Sequence, residues 1–395
     1  MKKSPSSIGF YFHACAVGSV LLAFVFVTSA AFGQTYAWQQ VWGDEFDYTG
    51  APDPVKWGYE IGKLRNNEDQ YYTDRLDNAR VENGNLVIEA KKESYSGSAY
   101  TSASVHTMST DRQTVKFSTT GGRLEVRAKL PGTAGCWPAF WTLGADSWTS
   151  SGGWPKSGEI DIFEYVANTP YVAFGNLHYL GTDGYHKDHV ASYDVRSANY
   201  LAAPISSDYH IFRVDWYTDR IEWYVDNVKY NESSIDPAIM TGDPFHNPHY
   251  LILNLAVGGS WGSPIDANFT SAKYLVDYVR VSQLVAVPLT FAAWQLEQGI
   301  PTGTPATEDH TGNGVADLID YATGSPRPTP GRQGDKCTLS FMRERPGITY
   351  TVECSSDLAT WTTLATNPGT VGTFVTVTDT VSATPRRFLR LRITL

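Results

Sequence analysis

The segment Gly158-Glu159-Ile160-Asp161-Ile162-Phe163-Glu164-Tyr165 sets three acids among large apolar residues. Successive side chains of a β-strand point to opposite faces, so Glu159 and Asp161 share one face and Ile160 and Ile162 the other. Strict alternation would turn Glu164 inward with the isoleucines. One extra residue near Ile162-Phe163, a β-bulge, returns Glu164 to the acid face, and bulges are over-represented beside active sites. Carboxyl groups this close resist ionising together, so at least one keeps its proton above the ordinary range. A carboxylic acid beside a carboxylate can divide acid and nucleophile roles, the division that breaks glycosidic bonds. A solvated acidic face is the plainer reading of such a strand. The surrounding residues are aromatic rather than lysine-rich, which weighs against it.

The acids need a rigid sheet beneath them. Arg123 to Leu130 alternates, with Leu124, Val126, Ala128 and Leu130 on one face. Asn85 to Ala90 and Tyr209 to Trp216 read the same way. Ile221 to Val225 and Val228 to Tyr230 flank Asp226-Asn227, a hairpin turn pair. Tyr250 to Val257 is almost wholly apolar, as in a strand buried on both faces. Many short strands punctuated by turns, without long helical periodicity, predict an all-β sandwich or barrel of two antiparallel sheets. Beyond Gln283 the character changes. Phe291 to Gln298 predicts a short helix, Gly299 to Pro305 a connector, and the strand-like runs after Lys336 a small C-terminal β module. The expected organisation is a leader at 1–33, a β-domain at 34–283, a connector at 284–335 and the module at 336–395.

Composition narrows the function class. Aromatic residues make up 13% of the chain, with 12 Trp and 23 Tyr, and such rings suit stacking on the apolar faces of sugars. The net charge of -10 argues against nucleic acid as a partner and is compatible with a neutral polysaccharide. Lys2 and Lys3, an apolar run from Ala14 to Ala31 and the small residues around Gly33 form a secretory signal pattern. Cleavage would yield an extracellular or periplasmic protein that does not engage the membrane, expected as a monomer. It would also leave Cys136, Cys337 and Cys354, of which Cys337 and Cys354 are candidates for a bridge.

Several segments together resemble glycoside hydrolase family 16, on its laminarinase (endo-β-1,3-glucanase) branch. They are Val41-Trp42-Gly43-Asp44-Glu45-Phe46, Asn66-Asn67-Glu68-Asp69-Gln70-Tyr71-Tyr72-Thr73, Trp137-Pro138-Ala139-Phe140-Trp141, the acid strand itself, Leu253-Asn254-Leu255-Ala256-Val257-Gly258-Gly259 and Val276-Asp277-Tyr278-Val279-Arg280-Val281. The resemblance covers about residues 38 to 283 and implies a concave β-jelly-roll that retains anomeric configuration. It implies Glu159 as nucleophile, Glu164 as general acid/base and Asp161 as the residue that orients and tunes them. The residues alone do not order the two glutamates. Retention calls for carboxyls about 5–5.5 Å apart, whereas two same-face steps along a strand separate Cα atoms by roughly 13 Å, so the side chains must lean together. The mixed-linkage lichenases of that family typically run E-x-D-x-E, so the resemblance, with E-x-D-x-x-E here, implies a β-1,3-glucan substrate with tolerance for mixed-linkage β-1,3-1,4-glucan.

For substrate contacts, Trp137, Trp141, Trp154 and Trp261 are candidates to stack on sugar rings, with a core role as the alternative for each. The resemblance adds His178 beside the acids and Asn67 at the cleft rim. Ser102-Ala103-Ser104 departs from the family's Ser-Ala-Arg, which removes an expected arginine contact. No organic cofactor is implied. A structural calcium carried over from relatives would involve Glu45, Gly84 and Asp277, partly through backbone oxygens. Separately, Asp309 to Asp320 has oxygen side chains and a glycine at EF-hand-like positions, with an Asx-rich turn as the alternative. The rival readings are a glucan-binding protein on the same scaffold, disfavoured because all three acids are present, and a family hydrolase for another polysaccharide such as a marine galactan.

Overall fold

Alternating side chains build the outer layer as expected. In Gly122–Lys129, Leu124, Val126 and Ala128 are fully buried, while Arg123, Glu125 and Arg127 stay partly exposed. This strand lies between Tyr209–Trp216 and Ser271–Val287 within a ten-stranded sheet. Asp226 and Asn227, at φ 46° and 69°, turn the chain from Arg220–Val225 into Val228–Ser234, as a tight hairpin requires. Gln70–Tyr72 runs parallel to Ser98–Ser102, while the strand pairs flanking Gly122–Lys129 are antiparallel. In this computed structural model the described residues are 8–9, 35–149, 152–196, 203–287, 289–301, 303–324, 327–382 and 386–395. The leader expected at 1–33 therefore falls outside them, apart from residues 8 and 9. Among the described residues no helix is long and apolar enough to cross a membrane.

The inner sheet has seven antiparallel strands: β1 (Gly58–Glu60), β2 (Ser104–His106), β3 (Cys136–Gly144), β4 (Glu159–Tyr165), β5 (Val172–Leu180), β6 (His186–Asp194) and β7 (His249–Val257). Their order across the sheet is β6-β5-β4-β3-β7-β2-β1. Strand β7 is buried at every position, as its apolar run predicts, and so is β3. The two sheets form the concave jelly-roll sandwich, closed over a core that includes Phe140, Ile160, Phe163, Phe212, Trp216 and Trp223. This unit spans Trp38–Val285.

A second unit is built mainly on Ala286–Leu395. Strands Thr349–Ser355, Thr362–Thr366 and Phe388–Thr394 make one small sheet, and Thr329–Gln333, Lys336–Arg343 and Thr373–Ser382 another. The segment expected as a connector at 284–335 is largely part of this fold. Helices Phe291–Glu297 and Asp317–Thr323 bury Trp294, Leu318, Ile319 and Ala322 against Leu339, Phe341 and Tyr350. The Gly/Pro/Thr stretch between the helices masked this, because the apolar residues on either side lie too few and too far apart to show a period. Cys136, Cys337 and Cys354 are buried thiols. The bridge considered for Cys337 and Cys354 is not formed, and Cys354 Sγ accepts a contact from Arg387 Nη2 at 3.0 Å. The EF-hand-like loop closes on itself as an Asx-rich turn. Asp309 accepts from the Asn313 and Gly314 main-chain N–H groups, and Asp320 Oδ2 accepts from Thr311 and Asn313.

Candidate active site

The predicted bulge lies in β4. Against β3, Trp141 pairs with Asp161 and Phe140 with Phe163, leaving Ile162 as the extra residue. Against β5, Asn176 pairs with Asp161 and Phe174 with Glu164. Ile160, Ile162 and Phe163 consequently all enter the core, while Glu159 and Glu164 stay partly exposed on the same cleft. Two glycines make room for this geometry. A Cβ on Gly158, at φ 76°, would meet Pro244 Cβ at 2.7 Å; one on Gly175 would meet Trp223 Cδ1 at 2.4 Å. The gap at Gly175 lets Trp223 reach across the sandwich, where its Nε1 donates to the Asp161 carbonyl at 2.8 Å. A main-chain acceptor beside the shifted ladder is thereby satisfied.

Each acid has a distinct set of partners. Glu164 accepts from Trp137 Nε1 at 3.0 Å and from Asn176 Nδ2 at 2.5 Å. Glu159 accepts from Trp154 Nε1 at 2.7 Å. Asp161, almost fully buried, faces His178 Nε2 at 3.5 Å. The other nitrogen of that ring, Nδ1, lies 3.1 Å from His186 Nε2. One side-chain atom each from Glu159, Asp161 and His178 falls within 4.8 Å of the others. A cleft of about 630 Å³ runs over this floor, and Trp137, Trp141, Trp154, Trp261, His178 and Glu164 are among its lining residues. A deeper pocket of about 40 Å³ brings Glu159, Asp161 and Glu164 onto one wall.

Electrostatics divides the glutamates. Burial and then the charge of Asp161 push Glu159 up to about 8. Glu164 rises well above the usual carboxylate range for the same reasons, with the Glu159 charge added. Carboxyls this close do not ionise together, so the site holds a carboxylate beside a protonated acid. Burial opposes a charge on His178, yet the hydrogen bond and charge of Asp161 raise the imidazole to about 9. Burial and the charge of His178 lower His186. A protonated His178 can therefore donate to Asp161 through Nε2 and to a neutral His186 through Nδ1.

The remaining expected contacts divide. Trp154 and Trp261 are exposed on the cleft, and Trp261 stands edge-on to Trp137 at 5.3 Å. Trp141 lines the cleft, but Arg65 lies over its ring at 4.8 Å and its Nε1 is spent on Asn254. One face of its ring thus supports a guanidinium. Asn66 lines the cleft, while Asn67 is exposed beside it. Glu45 and Asp277, expected as calcium ligands, face Arg280 and Arg127 instead, at 2.7 and 2.6 Å. Gly84 sits at φ 72° between paired Glu82 and Asn85.

Sequence reading missed Asn176, Trp223, His186 and Arg65. Asn176 was the most accessible of these, because it lies two residues from His178 and so shares its face.

Residues 66–280 match the family Glycosyl hydrolases family 16. A beta-glucanase of Rhodothermus marinus is 40% identical over 258 residues, covering 63% of this chain and 86% of that protein. A glucan endo-1,3-beta-glucosidase of Cryptopygus antarcticus is 34% identical over 264 residues, covering 62% and 92%. The X-ray structure of the laminarinase from Rhodothermus marinus superposes with a TM-score of 0.56 at 40% identity, covering 63% of this chain and 99% of that one.

Proposed function

We propose, from the premise that this chain belongs to glycosyl hydrolases family 16, that it is an endo-acting, retaining hydrolase of β-1,3-glucan of the laminarin type. The observation that carries this reading is the bulge in β4, which turns Glu159 and Glu164 onto one cleft with Asp161 between them. The names of the glucanase relatives supply the substrate class.

In the first step Glu164 gives its proton to the glycosidic oxygen while a Glu159 oxygen attacks the anomeric carbon. The bond to the leaving chain breaks, and a glycosyl ester forms on Glu159. Trp137 and Asn176 then stabilise the new Glu164 carboxylate by the hydrogen bonds they already make. In the second step that carboxylate takes a proton from water, whose oxygen displaces Glu159 and restores the original configuration. Asp161, bound to His178, keeps negative charge between the glutamates and delays proton loss from Glu164. The leader-like segment and a polymeric substrate too large to enter a cell support an exported enzyme. Tolerance for mixed-linkage chains belongs to the same reading.

Incubation with laminarin, curdlan, lichenan and agarose, with products sized over time, tests the assignment. Laminarin should give a spread of oligosaccharides early, with proton NMR detecting the β-anomer first. Exclusive cleavage of agarose, or an α-anomer appearing first, would overturn it.

A further inference from the structure

We infer that Arg65 is a substrate-binding residue, a guanidinium held rigid at the cleft floor to donate hydrogen bonds to hydroxyls of the glucosyl unit beside the acids. The inference rests on the β-glucan reading of the same site. Four observations carry it.

Arg65 lines the main cleft, and it also lines the deeper pocket together with Glu159, Asp161 and Glu164. Its orientation is fixed from behind. Glu60 on β1, 1% exposed, accepts from both Arg65 Nη1 and Nη2. The same carboxylate accepts from Ser104 Oγ at 2.7 Å and from Arg112 Nη2 at 3.3 Å. Arg65 is held flat from the side by the Trp141 ring, and Trp141 pairs with Asp161 in the sheet. Finally, a guanidinium has five N–H donors. Glu60 occupies an N–H on each terminal nitrogen, which leaves the others for a ligand.

The site is pre-organised, because anchoring and stacking have already cost the side chain its rotamer freedom before sugar arrives. Ser104 on β2 serves the same anchor, donating its hydroxyl to Glu60.

A purely structural role, neutralising Glu60, is separable by experiment. Arg112 shares that task, so Arg65→Gln leaves Glu60 one guanidinium. Laminaritetraose binding would be measured by calorimetry on a Glu164→Gln background, and kcat and KM for laminarin on the otherwise native full chain. Arg65→Gln should weaken binding and lower kcat/KM by about 10- to 100-fold, as loss of a charged hydrogen bond predicts. Arg65→Lys, which keeps charge without the fork, should fall between the two. Arg112→Gln, which removes a Glu60 partner that backs Trp148 and is not itself a cleft-lining residue, should lower the melting temperature and change binding less than about threefold. Equal binding by Arg65→Gln and its parent would overturn the inference. Should Arg65→Gln fail to fold, Arg65→Lys binding as the parent does would overturn it equally. Failure of the Glu164→Gln parent itself to bind laminaritetraose would instead overturn the substrate reading.

Discussion

Glu60 and Glu164 stand on the same inner sheet, at its edge and near its middle, and their proton affinities diverge. Burial alone would make Glu60 the stronger proton holder, since it is 1% exposed while Glu164 opens onto the cleft. The reverse holds. Burial does oppose the Glu60 charge, but Arg65 overcomes it and lowers the carboxyl below its ordinary range. Burial raises Glu164, the charges of Asp161 and Glu159 add to it, and its two hydrogen bonds come from neutral groups, Trp137 and Asn176. Burial raises both carboxyls, and the charge of the hydrogen-bond partner decides whether that is reversed. The protein makes an acid at its active site by giving Glu164 no cation among its hydrogen-bond partners. Glu222 on the outer sheet follows the edge pattern. Despite burial, Tyr224, Arg220 and Lys229 bring it to about 2.

The largest effect should come from deleting the raised groups. Glu159→Gln and Glu164→Gln should each lower laminarin turnover about a thousandfold or more, with an unchanged circular dichroism spectrum. A folded mutant with native turnover would refute the assigned roles. Next, Asn176→Lys would give Glu164 the kind of partner that Glu60 has. Its carboxyl should ionise at lower pH, so the alkaline limb of the pH–rate curve should move down by about one unit or more. Turnover at neutral pH should drop about 10- to 100-fold, and the pH profile distinguishes this from misplacement of the substrate. The same variant would fail to shift that limb if depth rather than charge set the proton affinity.

A third, smaller effect concerns stability. A carboxyl raised in the folded state binds its proton more tightly there than in the unfolded chain. Its stabilising contribution is complete below the ordinary carboxylate range and is lost as pH climbs through the folded value. Glu159, raised to about 8, and Glu164 therefore strain the fold across neutral pH. Glu164→Gln should melt higher than the parent at pH 8, by ~2–4 °C for each kcal/mol relieved. The gain should vanish near pH 4, and an equal gain at both pH values would count against the raised acid. The smallest effect is expected from Glu45→Gln on the outer face, which breaks a partly exposed pair with Arg280. Stability should change by about 0–1 kcal/mol in denaturant melts, with turnover as in the parent.

The acids and their kink were legible in sequence because a strand's period is rigid. Glu164 is out of phase with Glu159 and Asp161, and only an added residue reconciles them. The buried faces of Gly122–Lys129 and of β7 followed from the same rule. What stayed hidden was carried by contacts distant in sequence. Glu60 meets Ser104 across 44 positions, and Glu45 meets Arg280 across 235. Side-chain periodicity within a segment is silent about such partners, so the guanidiniums that face Glu45 and Asp277 were not foreseen and Arg65 went unnoticed. The place of Trp141 on the cleft was evident, but the guanidinium over its ring comes from a loop after β1.

The indole of Trp223 gives the outer sheet a hand in the chemistry, since it grips the Asp161 carbonyl through the opening left at Gly175. Anyone grafting the acid-bearing ribbon onto another scaffold would have to carry Arg220–Val225 with it. A transplant of the inner layer alone would arrive without its fastening, and its kink would be free to relax.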